Sequence, residues 1–261
     1  MPEDAADTIS EQIPTNLRVL LLVEAVVEIG GTVKPGQIGE ALGLPKPTVH
    51  RLIKTAEEAG FLRRDIDGRS YGPGPRLQRL AANTTTAAQV QLSRSAILRK
   101  LSEKIGETCN LSTPDRDGMM YLDRHETAWP LRIQLPTGST VPFHCTASGK
   151  MYLSTLGIAQ LEQTMNIIGM EARTPYTITD MARLKSELST IRTQGFATDD
   201  QEFMIGMVAI ALPVSDPRGR LMSTISIHAP IQRVDLGQLQ RHLDDLRTAA
   251  KQLSALVELN N

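Results

Sequence analysis

LGLPKPTVHRLIKTAEEAGFLRRD, residues 42–65, holds the end of one short helix, a glycine turn, a second helix and the start of a strand. Pro45-Lys46-Pro47 opens the second helix, because proline is accepted in a first turn where its missing N–H is not needed. Val49, Leu52, Ile53 and Ala56 then recur at helical spacing on one face, and Lys46, Thr48, His50, Arg51, Lys54 and Thr55 are left for the other. Gly60 stops it. Upstream, Lys34 to Leu44 reads as a short helix with Pro35 in its first turn, with Ile38, Ala41 and Leu42 facing inward, closed by Gly43. Two short helices joined by a glycine turn, the second presenting cationic and hydroxyl side chains, form a helix-turn-helix pattern. Downstream, Phe61 to Arg64 and Arg69 to Tyr71 flank Asp65-Ile66-Asp67-Gly68, two brief strands around an Asp-Gly turn that predict a wing. Before all of these, the apolar run from Leu17 to Val27, ended by Gly30-Gly31, predicts a core helix.

Total charge argues against this reading at first sight: 28 Lys plus Arg meet 29 Asp plus Glu, a net charge of -1 over 261 residues. A duplex binder usually shows a basic excess. By segment the balance changes. Residues 1–32 are acidic, whereas between Lys46 and Arg79 eight basic side chains face four acidic ones. The total hides a local basic patch, and the low overall charge limits indiscriminate binding. With 41% hydrophobic and 22% charged residues, the composition fits a globular chain rather than a disordered or fibrous one. The longest apolar runs, such as Val208 to Val214, are far short of a membrane span. Met1 to Gln12 is polar and acidic with no basic and apolar leader, which predicts a cytoplasmic protein. Cys109 and Cys145 cannot make a disulfide framework and are expected as buried thiols.

Past Pro73 and Pro75 the pattern turns helical and Ala/Thr-rich through Ile105, predicting a linker helix followed by the first helix of a second domain. Strand-like runs follow at Thr108 to Thr113, Met119 to Arg124, Leu131 to Leu135, Met207 to Val214 and Met222 to His228. They are interleaved with helical stretches at Ala147 to Leu156, Ile158 to Ile167, Asp180 to Gln194 and Asp235 to Leu259. Turns at Asp115–Gly118 and Asp216–Gly219 point to antiparallel hairpins, hence an α+β domain. The expected division is a winged helix-turn-helix over 1–80, a linker helix over 81–92 and an effector domain over 93–261. In the last helix, Leu236, Leu239, Leu243, Leu246, Ala250, Leu253 and Val257 alternate spacings of three and four. Either a coiled-coil seam or a helix covering a sheet gives that spacing.

Three separated motifs carry a resemblance: the Pro35 to Asp65 segment, VPFHCTASGKMYLS at 141–154, and GFATDDQEFMIGMVAIALPVSDPRGRLMSTISIHAP at 195–230. In this order they are similar to the IclR-type (isocitrate lyase regulator-like) transcription factors, over about Leu17 to Val257. The resemblance implies a homodimer or tetramer that binds double-stranded operator DNA through winged helices and senses a small organic acid in a GAF-like domain, an antiparallel sheet flanked by helices. It implies effector contacts at Ala147 and Ser148, where backbone amides begin a helix, and at Asp199, Ala209, Ser226 and His228. Amides at a helix start suit a carboxylate on physical grounds too. Gln201, Ala209 and His228 depart from the family's usual residues. Met119, Tyr121, Leu131, Ile133 and Phe143 are expected as apolar walls from their place on strands.

On the basic patch, Thr48, His50 and Arg51 are the candidates for base edges, Lys46 and Lys54 for phosphate with Pro47 among them, and Arg64 and Arg69 on the wing for phosphate or a minor groove. Other chemistries fit less well. His144 and Cys145 are adjacent on an extended segment and point to opposite sides, which is wrong for a nucleophile and its base. Ser148-Gly149-Lys150 does not complete a phosphate loop, since His144 stands where glycine is needed and Met151 where Ser or Thr is; Lys150 is read as structural or a counter-ion. His125, His144, His228 and the two cysteines lack metal-ligand spacing, so neither metal nor cofactor is expected. The rival reading is a sensor or enzyme domain whose winged module docks a protein.

Overall fold

The structure, a computed structural model, describes residues 13–130, 132 and 135–258. The acidic start, most of the strand expected at Leu131 to Leu135, and the extreme C-terminus lie outside them. The chain divides into two compact units between Ala88 and Gln89.

In the first unit three helices, α1 (Arg18–Ile29), α2 (Pro35–Leu42) and α3 (Lys46–Glu58), precede the antiparallel pair β1 (Leu62–Arg64) and β2 (Tyr71–Pro73). Gly43 takes the left-handed conformation, φ 61°, that turns α2 sharply into α3. Gly39 lets the two helices approach, since a Cβ there would meet the Leu44 carbonyl oxygen at 3.3 Å. Val33 bridges to Tyr71 with bonds of 2.8 and 2.9 Å, adding a third short segment beside the wing. Leu22, Val26, Ile38, Val49, Ile53 and Leu62 close one core. Two expectations need correcting. Ala41 is exposed and Leu44, just past the turn, is buried in the core. On α1, Leu22, Ala25 and Val26 are buried, but Leu20 (60% exposed) and Val27 (52%), with Leu17 just before the helix, face outward.

Helix α4 runs unbroken over Pro75–Ile105, so there is no separate linker helix. No glycine or proline interrupts it after Pro75, and Thr84, Thr85 and Thr86 return their hydroxyls to carbonyls four residues back at 2.9–3.0 Å.

The second unit is built on β3 (Thr108–Pro114), β4 (Gly118–His125), β5 (Thr140–Pro142), β6 (Ala197–Asp200), β7 (Met207–Ser215) and β8 (Leu221–Pro230). They form one antiparallel sheet in the order β5-β4-β3-β8-β7-β6. Strand alternation sends Cys109, Leu111, Ile210, Ile225 and Ile227 to one face. There they pack with the end of α4 and with α8 (Leu236–Gln240) and α9 (Leu243–Glu258). Leu239, Leu246, Ala250 and Leu253 are buried against the sheet, so the three-and-four spacing is that of a sheet cover. The predicted single terminal helix is interrupted at Arg241-His242. On the opposite, inner face lie α5 (Ala147–Leu153), α6 (Ile158–Ile168) and α7 (Met181–Gln194), over a core of Met119, Tyr121, Phe143, Leu161 and Leu188.

Candidate functional site

Burial of Val49, Leu52, Ile53 and Ala56 fixes the rotation of α3, and the residues between them become its outer face. Lys46, Pro47, His50, Arg51 and Lys54 are exposed there, with Thr48 half-buried beside them. Lys54 makes only an exposed 3.8 Å pair with Glu58, which binds weakly and leaves it available. At the wing, Asp67 accepts from the Ser70 hydroxyl (2.7 Å) and from the backbone N–H groups of Ser70 and Arg69 (2.8 Å each). The Ser70 hydrogen bond, aided by the two amides, holds the Asp67 carboxyl down at about 2, so the turn is fixed at ordinary pH. It presents Arg69 and a fully exposed Ile66, a residue that composition alone does not mark. Arg64, on the wing as expected, also has partners within the unit. Its guanidinium lies 5.2 Å from the Tyr71 ring centre and bonds Glu57 at 3.3 and 3.4 Å, so part of its charge is spent within the unit. Arg76 stacks on Phe61 at 4.6 Å.

In the second unit the strand register assembles the inner face row by row. Asp199, Ala209, His228 and Thr108 lie side by side across β6, β7, β8 and β3. The next row is Ala197, Ala211, Ser226, Asn110 and Arg124. Small residues at 197, 209 and 211 make a low floor beneath α5, which packs across β6, β7 and β8. All the described expected contacts, Met119, Tyr121, Phe143, Ala147, Ser148, Asp199, Ala209, Ser226 and His228, are buried in this unit. Leu131 and Ile133 lie outside the described residues. A cavity of about 360 Å³ opens near them, walled by Val141, His144, Arg173 and Phe203; none of the expected contacts lines it. Its link to the buried row is Phe203, whose N–H bonds Asp199 at 3.3 Å.

Electrostatics separate the roles. Burial, with Arg124 nearby, drives the His228 imidazole down to about 4, so it is neutral at pH 7 and offers one donor and one acceptor. Its Nε2 sits 3.5 Å from the Ser226 hydroxyl and its ring is edge-on to Tyr121. Burial and then Glu202 raise the Asp199 carboxyl to about 7, although the amides of Glu202 (2.8 Å) and Phe203 oppose this. The Lys150 side chain is 1% exposed; burial disfavours its charge, but Glu202 and Glu187 (3.1 Å) outweigh that and hold it charged. It thereby ties α5 to the segment after β6, whose carbonyls at Gln201 and Glu202 also accept from Thr174 and Thr177. Gln201, at φ 61°, turns its amide to Gly206 and Asp200 within that loop, so its departure from the family pattern concerns the loop and not the pocket floor. Cys145 and Cys109 are buried thiols as expected, Cys145 raised by burial to about 12; His144 bonds the Glu171 carbonyl at 2.9 Å. Among the described residues, no three His, Cys, Asp or Glu converge on a metal-sized site and no helix is long and apolar enough to cross a membrane.

Sequence reasoning missed Asn110 and Arg124. The first was legible, because Thr108, Asn110 and Ser112 alternate with Cys109 and Leu111. Arg124 was not: strict alternation would oppose it to Tyr121, and the register shift at Leu111/Ser112 brings both to the inner face.

The IclR helix-turn-helix domain matches residues 17–65, and the bacterial transcriptional regulator IclR C-terminal domain matches residues 82–255. "Probable transcriptional regulator SauR" of Cupriavidus necator is 38% identical over 237 residues, 91% of this chain and 94% of that protein. Transcriptional repressor IclR of Escherichia coli is 27% identical, covering 89% and 86%. Among solved structures, Thermotoga maritima IclR aligns at TM-score 0.61 and 25% identity over 95% of this chain and 99% of that one. The inducer-binding domain of Acinetobacter PobR, a double mutant in complex with 3-hydroxybenzoic acid, aligns at 0.57 and 25% over 61% of this chain and 94% of its own. With both domains matched along nearly its whole length, this chain belongs to the IclR family of bacterial transcriptional regulators.

Proposed function

We propose that the protein is an operator-binding repressor, working in the cytoplasm, whose second unit takes a small organic carboxylate. The observation that carries the DNA half is the single exposed face of α3, with Lys46, Pro47, Thr48, His50, Arg51 and Lys54 on it. Thr48, His50 and Arg51 read base edges; Lys46 and Lys54 hold phosphate, and Arg69 reaches out from the wing turn. Arg64 joins them only by giving up Glu57, an exposed pair that is cheap to break. Dimerisation doubles the modest basic patch, and the outward Leu20 and Val27 on α1, with Leu17 at its N-cap, supply an apolar stripe for it.

Support for a carboxylate comes from the polar side chains gathered under α5, in particular the buried Ser148 hydroxyl, which has no partner. A relative's inducer-binding domain holds an aromatic carboxylic acid. The expected contacts at Ala147, Ser148, Asp199, Ser226 and His228, walled by Met119, Tyr121 and Phe143, with Ala209 as floor, define the proposed site. The ligand controls DNA binding through its different affinity for two arrangements of the protein, with α4, whose residues belong to both units, as the connecting segment. Fluorescence anisotropy on the upstream region of its own or a neighbouring operon tests both halves. Affinity should fall steeply with salt, and one of a panel of small carboxylates should release the DNA and be recovered unchanged. DNA binding that is absent or indifferent to salt refutes the first half; a ligand that is consumed refutes sensing.

A further inference from the structure

Asn110, at the centre of β3, is 1% exposed, and both atoms of its amide lack a hydrogen-bond partner. Its neighbours Cys109 and Leu111 pack on the outer face, so the amide is directed to the inner one. There it stands between Ser226 and Arg124 in the cross-strand row. Ser148, 2% exposed, belongs to α5, the helix that covers this face, and its hydroxyl is also without a hydrogen-bond partner. Buried polar atoms are paired in almost every folded protein, and an amide with two open valences in a core is unusual unless something else completes it. A bound ligand is such a completion.

We propose that Asn110 determines effector specificity, and that the effector is a hydroxy acid: its carboxylate is met at Ser148 and its hydroxyl at the Asn110 amide. The carboxylate half rests on the function proposed above; the hydroxyl half rests on Asn110 alone. The chemistry of the amide selects the second group. An ionised carboxylate accepts only, so it satisfies Nδ2 and confronts Oδ1 with a like dipole; a methyl or ring edge satisfies neither. A hydroxyl donates and accepts, so it serves either amide atom whichever way the amide is turned, with the Ser226 hydroxyl next to it. A site built to bond a hydroxyl discriminates strongly against the analogue lacking it, because the protein groups are left unpaired.

Titration calorimetry on the full-length protein tests this with two sets of probes: butyrate against 3- and 4-hydroxybutyrate, and benzoate against 3- and 4-hydroxybenzoate. At least one hydroxylated acid should bind about tenfold or more tighter than its parent. Asn110→Leu, similar in size, should bring that pair to within about twofold by weakening the hydroxy acid alone, whereas Ser148→Ala should weaken parent and hydroxy acid together. If Asn110→Leu does not fold, Asn110→Ala carries the same comparison. Wild-type protein that binds a parent acid as tightly as every hydroxylated form, as it would if only water meets Asn110, overturns the proposal and leaves the carboxylate reading standing. So does a preference that survives in the Asn110 variant. Failure of every acid to bind overturns the carboxylate reading, and the proposal with it.

Discussion

Replacing Lys150 with Met removes a cation that holds α5 to the loop after β6. The ammonium bonds Glu202, whose side chain is 10% exposed, and Glu187 at 3.1 Å, which is 31% exposed. Glu187 turns to solvent and loses little, less than about 1 kcal/mol. Glu202 cannot. Its Oε2 already lacks a partner, Oε1 would join it, and the raised Asp199 carboxyl lies three residues away, its Oδ1 bonded to the Glu202 amide. Breaking a buried pair by deleting one member costs about 3–5 kcal/mol, toward the lower end where the survivor can take up a proton. For a unit of this size that is a fall of roughly 6–20 °C in Tm, toward the lower part of the range. Differential scanning calorimetry of wild type, Lys150→Met and Lys150→Met/Glu202→Gln reads it, with the double variant recovering at least half the loss. The pH dependence has a definite sign. Without Lys150 the folded Glu202 carboxyl rises further above its unfolded value near 4.5, so the native state holds a proton that the unfolded chain has lost. Stability then falls as pH rises from that value, and the deficit against wild type is smaller at pH 5 than at pH 8. A loss below about 1 kcal/mol, an unrescued double variant, or an equal deficit at both pH values would show that Lys150 does not act as the buried tie described.

Arg51→Ala should weaken operator binding by about 1–3 kcal/mol with an unchanged melting curve, since Arg51 is exposed; unaltered anisotropy titrations would remove it from the base-reading set. Gly149→Ala places a Cβ 2.3 Å from the Phe143 carbonyl oxygen and 2.4 Å from its Cα, both backbone, so the unfolding free energy from denaturant titration should drop by about 1–3 kcal/mol or more; a neutral result would mean that α5 shifts freely. His228 and Asp199 oppose each other in pH dependence. The first is depressed to about 4, so stability rises with pH between about 4 and 6.5; the second is raised to about 7, so stability falls between about 3.8 and 7. In the shared window the two effects nearly cancel, so Asp199→Asn should shift the slope of Tm against pH upward and His228→Gln should shift it downward, and identical slopes in both variants would sink the assignment.

Much of the first unit was legible because its signals are local. Pro45 and Pro47, Gly43, Gly60 and the spacing of Val49, Leu52, Ile53 and Ala56 determine where α3 starts, stops and turns its polar face, and Asp67-Gly68 fixes the wing. In the second unit, the resemblance to the IclR family picked out Ala209, Ser226 and His228, and alternation along β8 put the last two on one face. Parity fails where a strand is irregular, which hid Arg124, and it says nothing about which partner lies opposite, which hid the pairing of Asn110 with Ser226. The terminal heptad-like spacing was open between two partners until the sheet was seen to occupy it.

By itself, then, the sequence determined the elements, their polar faces and the family, because periodicity and turn chemistry act within a few residues. The tertiary structure alone decided that Lys150 is caged by Glu187 and Glu202, that His228 is neutral while Asp199 titrates near neutrality, and that Arg64 is held by Glu57 and Tyr71. Those properties depend on desolvation and on charges brought within a few ångströms from distant parts of the chain, and neither quantity exists until the chain has folded.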